Sequence, residues 1–217
     1  MQNKISASEL HKNVPPNWYF SSIKRNPYQR FWHETRFKEV SKFIEPTGGK
    51  ILDIGSADGV FTKVILDKSK AKEIIGIDVL EDSVSWANLH WKKNKEVKFQ
   101  VGDAHKLDFK SNTFDAVFAL EVMEHVFEPD KVFKEIKRVL KKNGYIIILV
   151  PSDNILFKII WWFVTKFWWA RIWQDCHVQS FTAKHSLGSV MKKAGLKVEI
   201  DHKFLLGMLN LVKARKV

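Results

Sequence analysis

The sequence predicts an α/β fold built on a parallel sheet covered by helices on both faces. Three observations predict it. Short apolar runs of strand length alternate with stretches of helical periodicity through residues 50–151. Strands that alternate with helices join in parallel, because each crossover carries the chain back over one face of the sheet. At 217 residues and 45% hydrophobic composition, the chain can bury one sizeable core.

The elements follow in order. Residues 1–30 mix Pro15, Pro16 and Pro27 with aromatic and polar residues, which predicts an irregular arm holding a short helix. A helix is expected from about Gln29 to Ile44, ended by the turn Pro46-Thr47-Gly48-Gly49. ILDIG (51–55) reads as the first strand and Gly59–Leu66 as a helix. EIIGIDV (73–79) is the second strand, followed by a helix over Asp82–Lys92. VKFQVGD (97–103) is the third and FDAVFALE (114–121) the fourth, with a helix over Asp130–Leu140. Asn143-Gly144 is a turn before the fifth strand, YIIILVP (145–151). A helix over Thr182–Ala194 ends at Gly195. LKVEIDHK (196–203) and MLNLVKA (208–214) are close enough through Gly207 to form a hairpin, hence an antiparallel edge.

Composition narrows the setting. The opening MQNKISASELHKN is polar, so no secretory leader is expected. Cys176 is the single cysteine, so no internal disulfide can form, a reducing cytoplasmic compartment fits, and no zinc cluster or other metal is expected. The net charge of +12 favours anionic partners, whether nucleic acid, lipid surfaces or acidic small molecules. Its lysines are dispersed as pairs such as Lys92-Lys93, Lys141-Lys142 and Lys192-Lys193, the pattern of a solvated surface.

The stretch ILDIGSADGVFT carries the chemistry. In an open parallel sheet, ligands bind at the carboxyl ends of the strands. Gly55 turns the chain without a Cβ clash. Gly59 permits either a close ligand or close helix packing. A dinucleotide turn would read G-x-G-x-x-G, but here those positions hold Gly55, Ala57 and Val60. Asp53 and Asp58 would also repel a pyrophosphate, so a ligand with a positive centre fits better than a nicotinamide dinucleotide. Asp78, Asp103 and Glu121 close the next three strands. An acid at Asp78 can accept both hydroxyls of a ribose, and one at Asp103 an adenine amino group.

These residues resemble the class I S-adenosylmethionine-dependent methyltransferases of the type 11 small-molecule group. The matching stretches are ILDIGSADG, IIGIDV, VGDAHKLDF, FDAVFALEVMEHV and IKRVLKKNGYIIILVPS, with AGLKVEI and LVKARKV similar to the end of the same fold. The resemblance implies a Rossmann-like, seven-stranded, mostly parallel sheet with an antiparallel last strand. It implies that Asp53 and the loop Gly55, Ser56, Ala57, Asp58 and Gly59 hold the methionine end of S-adenosyl-L-methionine. Asp78 would take the ribose diol with Val79 against the adenine, Asp103 and Ala104 would bracket the adenine, and Glu121 would lie beside the sulfonium. Ala57 departs from the glycine usual in the family. His125 and His177 resemble family histidines and are the candidates for a general base. His11, His33, His90, His105, His185 and His202 stand in no motif.

The segment ILFKIIWWFVTKFWWARIWQ (155–174) is the other unusual feature. It holds Trp161, Trp162, Trp168, Trp169 and Trp173, five of the nine tryptophans. Lys158, Lys166 and Arg171 interrupt it, each costing roughly 2.5–3.5 kcal/mol at a bilayer centre, so a membrane span is not expected. Trp interleaved with Lys and Arg suits a lid over a greasy acceptor, or a helix lying on an anionic membrane surface. The expected organisation is an arm or flap over 1–36, in which Tyr19, Trp32 and Arg36 contact the site, and a cofactor-binding core over 37–152. An aromatic lid or interfacial insertion over 153–180 follows, then a final helix and hairpin over 181–217.

The function expected is methyl transfer to a small, lipophilic or membrane-associated acceptor, by an enzyme that is cytoplasmic or peripheral on the membrane. Nucleic-acid methylation is disfavoured. The fourth strand runs into ALEVME rather than an Asn/Asp-Pro-Pro-aromatic stretch, and Cys176 follows Asp175 rather than proline. A non-catalytic cofactor-binding scaffold is the remaining alternative.

Overall fold

A computed structural model describes residues 9, 11, 13–152, 154–167 and 186–217. In the arm, α1 (Trp18–Arg25) and α2 (Pro27–Ser41) are separated by Asn26. Its side chain caps α2 by accepting from Tyr28 and Gln29 N–H, with Pro27 in the first turn. Then come β1 (Lys50–Ile54), α3 (Val60–Ser69), β2 (Glu73–Asp78), α4 (Glu81–Trp91), β3 (Val97–Val101) and β4 (Phe114–Leu120). After a 3₁₀ turn (Met123–His125) follow α5 (Pro129–Val139), β5 (Leu140–Pro151), α6 (Ile155–Phe167), α7 (Leu187–Lys193), β6 (Lys197–Phe204) and β7 (Leu209–Arg215).

The strands form one seven-stranded sheet in the order β3-β2-β1-β4-β5-β7-β6. β1 to β5 pair in parallel, and β7 runs antiparallel to both β5 and β6. The expected hairpin is present, but its second strand lies inside the sheet and β6 takes the edge. The strand order reverses between β1 and β4, which opens a crevice at the carboxyl ends of those strands.

Two-residue alternation along the central strands feeds both faces. Leu52, Ile54, Val117, Ala119, Ile146 and Ile148 pack against Phe133 and Ile136 of α5 and Leu187 and Met191 of α7. Ile51, Ala116, Phe118, Ile147 and Leu149 pack against Val40, Phe61, Ile65 and Trp91 on the other side. Burying each such side chain contributes roughly 1.5–3 kcal/mol before chain entropy is charged against it.

Several boundaries differ from expectation. α2 stops at Ser41, because Lys42 and Phe43 donate to Glu39 and Val40 in a tightened last turn. β5 begins at Leu140, and the expected turn at Asn143-Gly144 is a register break within it, with Asn143 left-handed at φ 64°. α7 is capped by Ser186, so the part of the expected helix before that residue lies outside the described residues.

Candidate active site

The glycine turn is shaped by backbone bonds to the end of β2. Gly55 and Ser56 N–H both donate to Ile77 carbonyl oxygen, at 2.8 and 3.0 Å. Gly55 is left-handed at φ 68°, and a Cβ there would meet Val122 Cγ2 at 2.2 Å. Ala57 is also left-handed, at φ 45°. That conformation suits glycine and costs an L-residue about 1–2 kcal/mol. Ala57 N–H is held there by donating to Asp78 Oδ2 at 2.9 Å. Gly59 caps α3 at φ 79°, and a Cβ there would strike Trp91 Nε1 and Phe99 Cζ, so helix packing is what its missing side chain allows.

Asp78 ends β2 nearly buried, its other oxygen accepting from Leu80 N–H at 2.9 Å. Burial raises its pKa, and these backbone bonds oppose the rise. Asp103 is largely exposed and holds His105 through both its backbone N–H, at 2.8 Å, and its ring Nδ1, at 2.6 Å. Ala104 is buried beside it.

Glu121 follows β4 in the left-handed region at φ 61°, with its N–H donating to Leu149 carbonyl oxygen at 2.9 Å. Strain of this kind persists where surrounding contacts over-determine it. Here the contact is Arg36 of α2, whose Nη1 lies 2.6 Å from Glu121 Oε2. Arg36 is 2% exposed, packs over Phe61 and Trp32, and shares a second donor with His33 Nδ1. Burial raises the pKa of Glu121 and Arg36 opposes the rise. Two buried atoms of this pair, Arg36 Nε and Glu121 Oε1, have no protein partner.

A single cavity brings much of this together. Gly55, Ala57, Asp78, Val79, Asp103, Ala104, Glu121 and His125 line it, with Tyr19 and His11 contributed by the arm. Asp53, Ser56, Asp58 and Gly59 are not in its lining. Asp53 sits inside β1 on the Ile51 side of the sheet, where its Oδ2 accepts from Thr62 Oγ1 of α3 at 2.6 Å. Burial lifts that carboxyl to about 7, Thr62 opposing and Asp78 adding. Asp58 turns to the arm, accepting from Phe20 N–H at 2.8 Å, and burial lifts it to about 6. Ser56 Oγ is buried without a partner. Trp32 touches Arg36 rather than the cavity.

His125 Nε2 stands 4.0 Å from Glu124 Oε1. His177, Trp168 and Trp169 lie outside the described residues. Trp161 stacks on Phe157 and Trp162 is half exposed, both on α6, and no described residue of α6 lines the cavity. Among the described residues, no group of three His, Cys, Asp or Glu is placed to hold a metal. His11 stands in no motif and still lines the cavity. It reaches the cavity because the arm folds across the sheet, and no local motif records that.

Residues 52–148 match a methyltransferase domain family. A ubiquinone biosynthesis O-methyltransferase of Pelagibacter ubique is 33% identical over 70% of this chain and 68% of its own length. The chain belongs to the class I S-adenosylmethionine-dependent methyltransferases. A demethylmenaquinone methyltransferase of Thermotoga maritima is 26% identical over 80% of this chain and 82% of its own. The crystal structure of a SAM-dependent methyltransferase from Aquifex aeolicus superposes with a TM-score of 0.65 at 22% identity, covering 99% of this chain and 100% of that one. This methyltransferase therefore has the fold its sequence motifs imply, and S-adenosylmethionine is its methyl donor. That donor supplies an activated methyl on a positive sulfur.

Proposed function

We propose that this methyltransferase alkylates a small lipophilic acceptor, and that Asp78 and the Arg36–Glu121 pair orient the donor for it. The carrying observation is the Arg36–Glu121 ion pair, which leaves one guanidinium N–H and one carboxylate oxygen without a protein partner, and whose Glu121 lines the cavity. An amino-acid end carries a carboxylate and an ammonium, so it meets both at once. Asp78 keeps lone pairs free beyond its two backbone bonds and accepts the ribose diol. Val79 and Ala104 offer apolar contact to the adenine, and Asp103 accepts from its amino group. Placed so, the donor turns its sulfonium toward Glu121, whose negative charge lies where the cation must sit.

The acceptor side favours a greasy molecule. Val14, Pro15, Pro16, Val122 and Val126 are among the residues that line the cavity. Both relatives above carry the names of enzymes of quinone biosynthesis. In-line transfer then needs proximity, alignment and exclusion of water, which the arm supplies by closing over the crevice. His125 is the candidate base, and His177 the second.

The same reading gives α6 a surface role. Ile155, Ile159, Trp162 and Phe163 are exposed on it, interspersed with the exposed Lys158 and Lys166. Apolar side chains flanked by lysine favour the headgroup layer of an anionic bilayer. No helix among the described residues is long and apolar enough to cross a membrane, so attachment would be peripheral.

The test is mass spectrometry of lipid and metabolite extracts incubated with the enzyme and methyl-labelled donor. A labelled lipophilic product supports the proposal. Label only in nucleic acid or polar metabolites contradicts it, and donor binding without any turnover favours a non-catalytic scaffold. Vesicle co-sedimentation tests the surface role. Binding to anionic vesicles should fall when Trp161, Trp162, Trp168 and Trp169 become Ser, and unchanged binding would remove that role.

A further inference from the structure

We infer that His11 and His125 work as one proton-accepting pair, which takes the hydroxyl or amino hydrogen of the acceptor. This rests on reading the cavity as the methyl-transfer site. The two imidazoles lie 4.6 Å apart between centroids and 89° apart in plane, edge to face. Both line the cavity, one from the arm and one from the turn after β4. In an edge-to-face pair, the positive rim of one ring points at the electron-rich face of the other.

A proton arriving on either ring meets negative charge at both ends of the pair. Glu124 Oε1 is 4.0 Å from His125 Nε2, and His11 is near enough to Asp78 for its charge to act on that carboxyl. Tyr19, Asp103, His105 and Glu121 are the other titratable groups of the cavity wall. The pair thus sets two imidazoles side by side on the cavity wall, with carboxyl groups near both.

The step balances without a co-reactant. An acceptor lone pair forms the new bond to the methyl carbon. The carbon–sulfur bond breaks with its electrons returning to sulfur, which becomes a neutral thioether. The acceptor's hydrogen leaves as a proton to an imidazole nitrogen and passes from there to solvent.

The test uses the full chain with S-adenosylhomocysteine bound and 4-nitrophenol as the probe, at a pH below the phenol's own pKa. Wild type is expected to raise the nitrophenolate absorbance on binding. His11→Phe keeps a ring edge in place but has no nitrogen, and His125→Phe is its counterpart. Each should lose most of that signal while still binding S-adenosylhomocysteine, which calorimetry reads separately. Wild type that binds S-adenosylhomocysteine yet leaves the phenol protonated overturns the inference alone, as does full signal in His11→Phe. Wild type that does not bind S-adenosylhomocysteine overturns the reading of the cavity itself.

Discussion

Arg36 Nη1 stands 2.6 Å from Glu121 Oε2, so a helix of the N-terminal arm is tied to the end of the fourth strand. The contact joins the cover of the crevice to its floor. It pairs one guanidinium with one carboxylate and leaves two of their atoms, Nε and Oε1, without a protein partner.

Arg36→Met should destabilise the fold by about 3–5 kcal/mol, because a buried carboxylate loses its counter-ion. Adding Glu121→Gln should recover a large part of that loss, although donor affinity should stay low. Urea unfolding of both single variants and the double variant checks this. Simple additivity of the two substitutions would show that the pair is not energetically linked.

Asp78→Ala should remove measurable S-adenosylmethionine binding while the far-ultraviolet circular dichroism stays that of a folded chain. Two hydrogen bonds to a charged acceptor at about 1.5–3 kcal/mol each amount to at least a hundredfold in affinity. The Ala57 and Leu80 N–H groups also lose their acceptor, so the melting temperature should drop by a few degrees.

Ala57→Gly should stabilise the protein by about 0.5–1 kcal/mol. Relief of the left-handed strain at φ 45° outweighs the greater freedom glycine gains in the unfolded chain. A thermal melt reads this directly, and a lower melting point would mean that the methyl packs usefully in the loop.

Asp53 makes a pH prediction whose sign is fixed by burial. Its folded carboxyl is raised to about 7 from 3.8, so between those values the folded chain holds a proton that the unfolded chain has released. Its contribution to stability is present in acid and is lost as pH rises through about 7. Asp53→Asn keeps an acceptor for Thr62 and removes the titration. Relative to wild type, that variant should gain unfolding free energy as pH rises from about 4 to about 7 and keep that difference above it. Asp58, lifted to about 6 by burial, titrates in the same window in both proteins and cancels in the difference.

The sheet was legible in the sequence because the central strands are short apolar runs and helices join β1 to β2, β2 to β3 and β4 to β5. α5 is the plainest case, with Val132, Phe133, Ile136 and Val139 buried along one face. The acids Asp78, Asp103 and Glu121 were legible because strand ends in this fold meet at one crevice. Asp53 reads the same in one dimension but sits one residue before the end of β1, and two-residue alternation sends it to Thr62. What stayed hidden depends on contacts between distant segments: Arg36 with Glu121, His11 with His125, Phe20 with Asp58. The placing of β7 between β5 and β6 is hidden in the same way, since a hairpin leaves open which strand faces inward.

The most direct test of the site is a crystal structure of this chain with S-adenosylhomocysteine. The ribose hydroxyls should lie within hydrogen-bond distance of Asp78, and the amino-acid end should engage Arg36 and Glu121. A nucleoside found with its ribose away from Asp78, or an amino-acid end turned from the Arg36–Glu121 pair, would contradict the account.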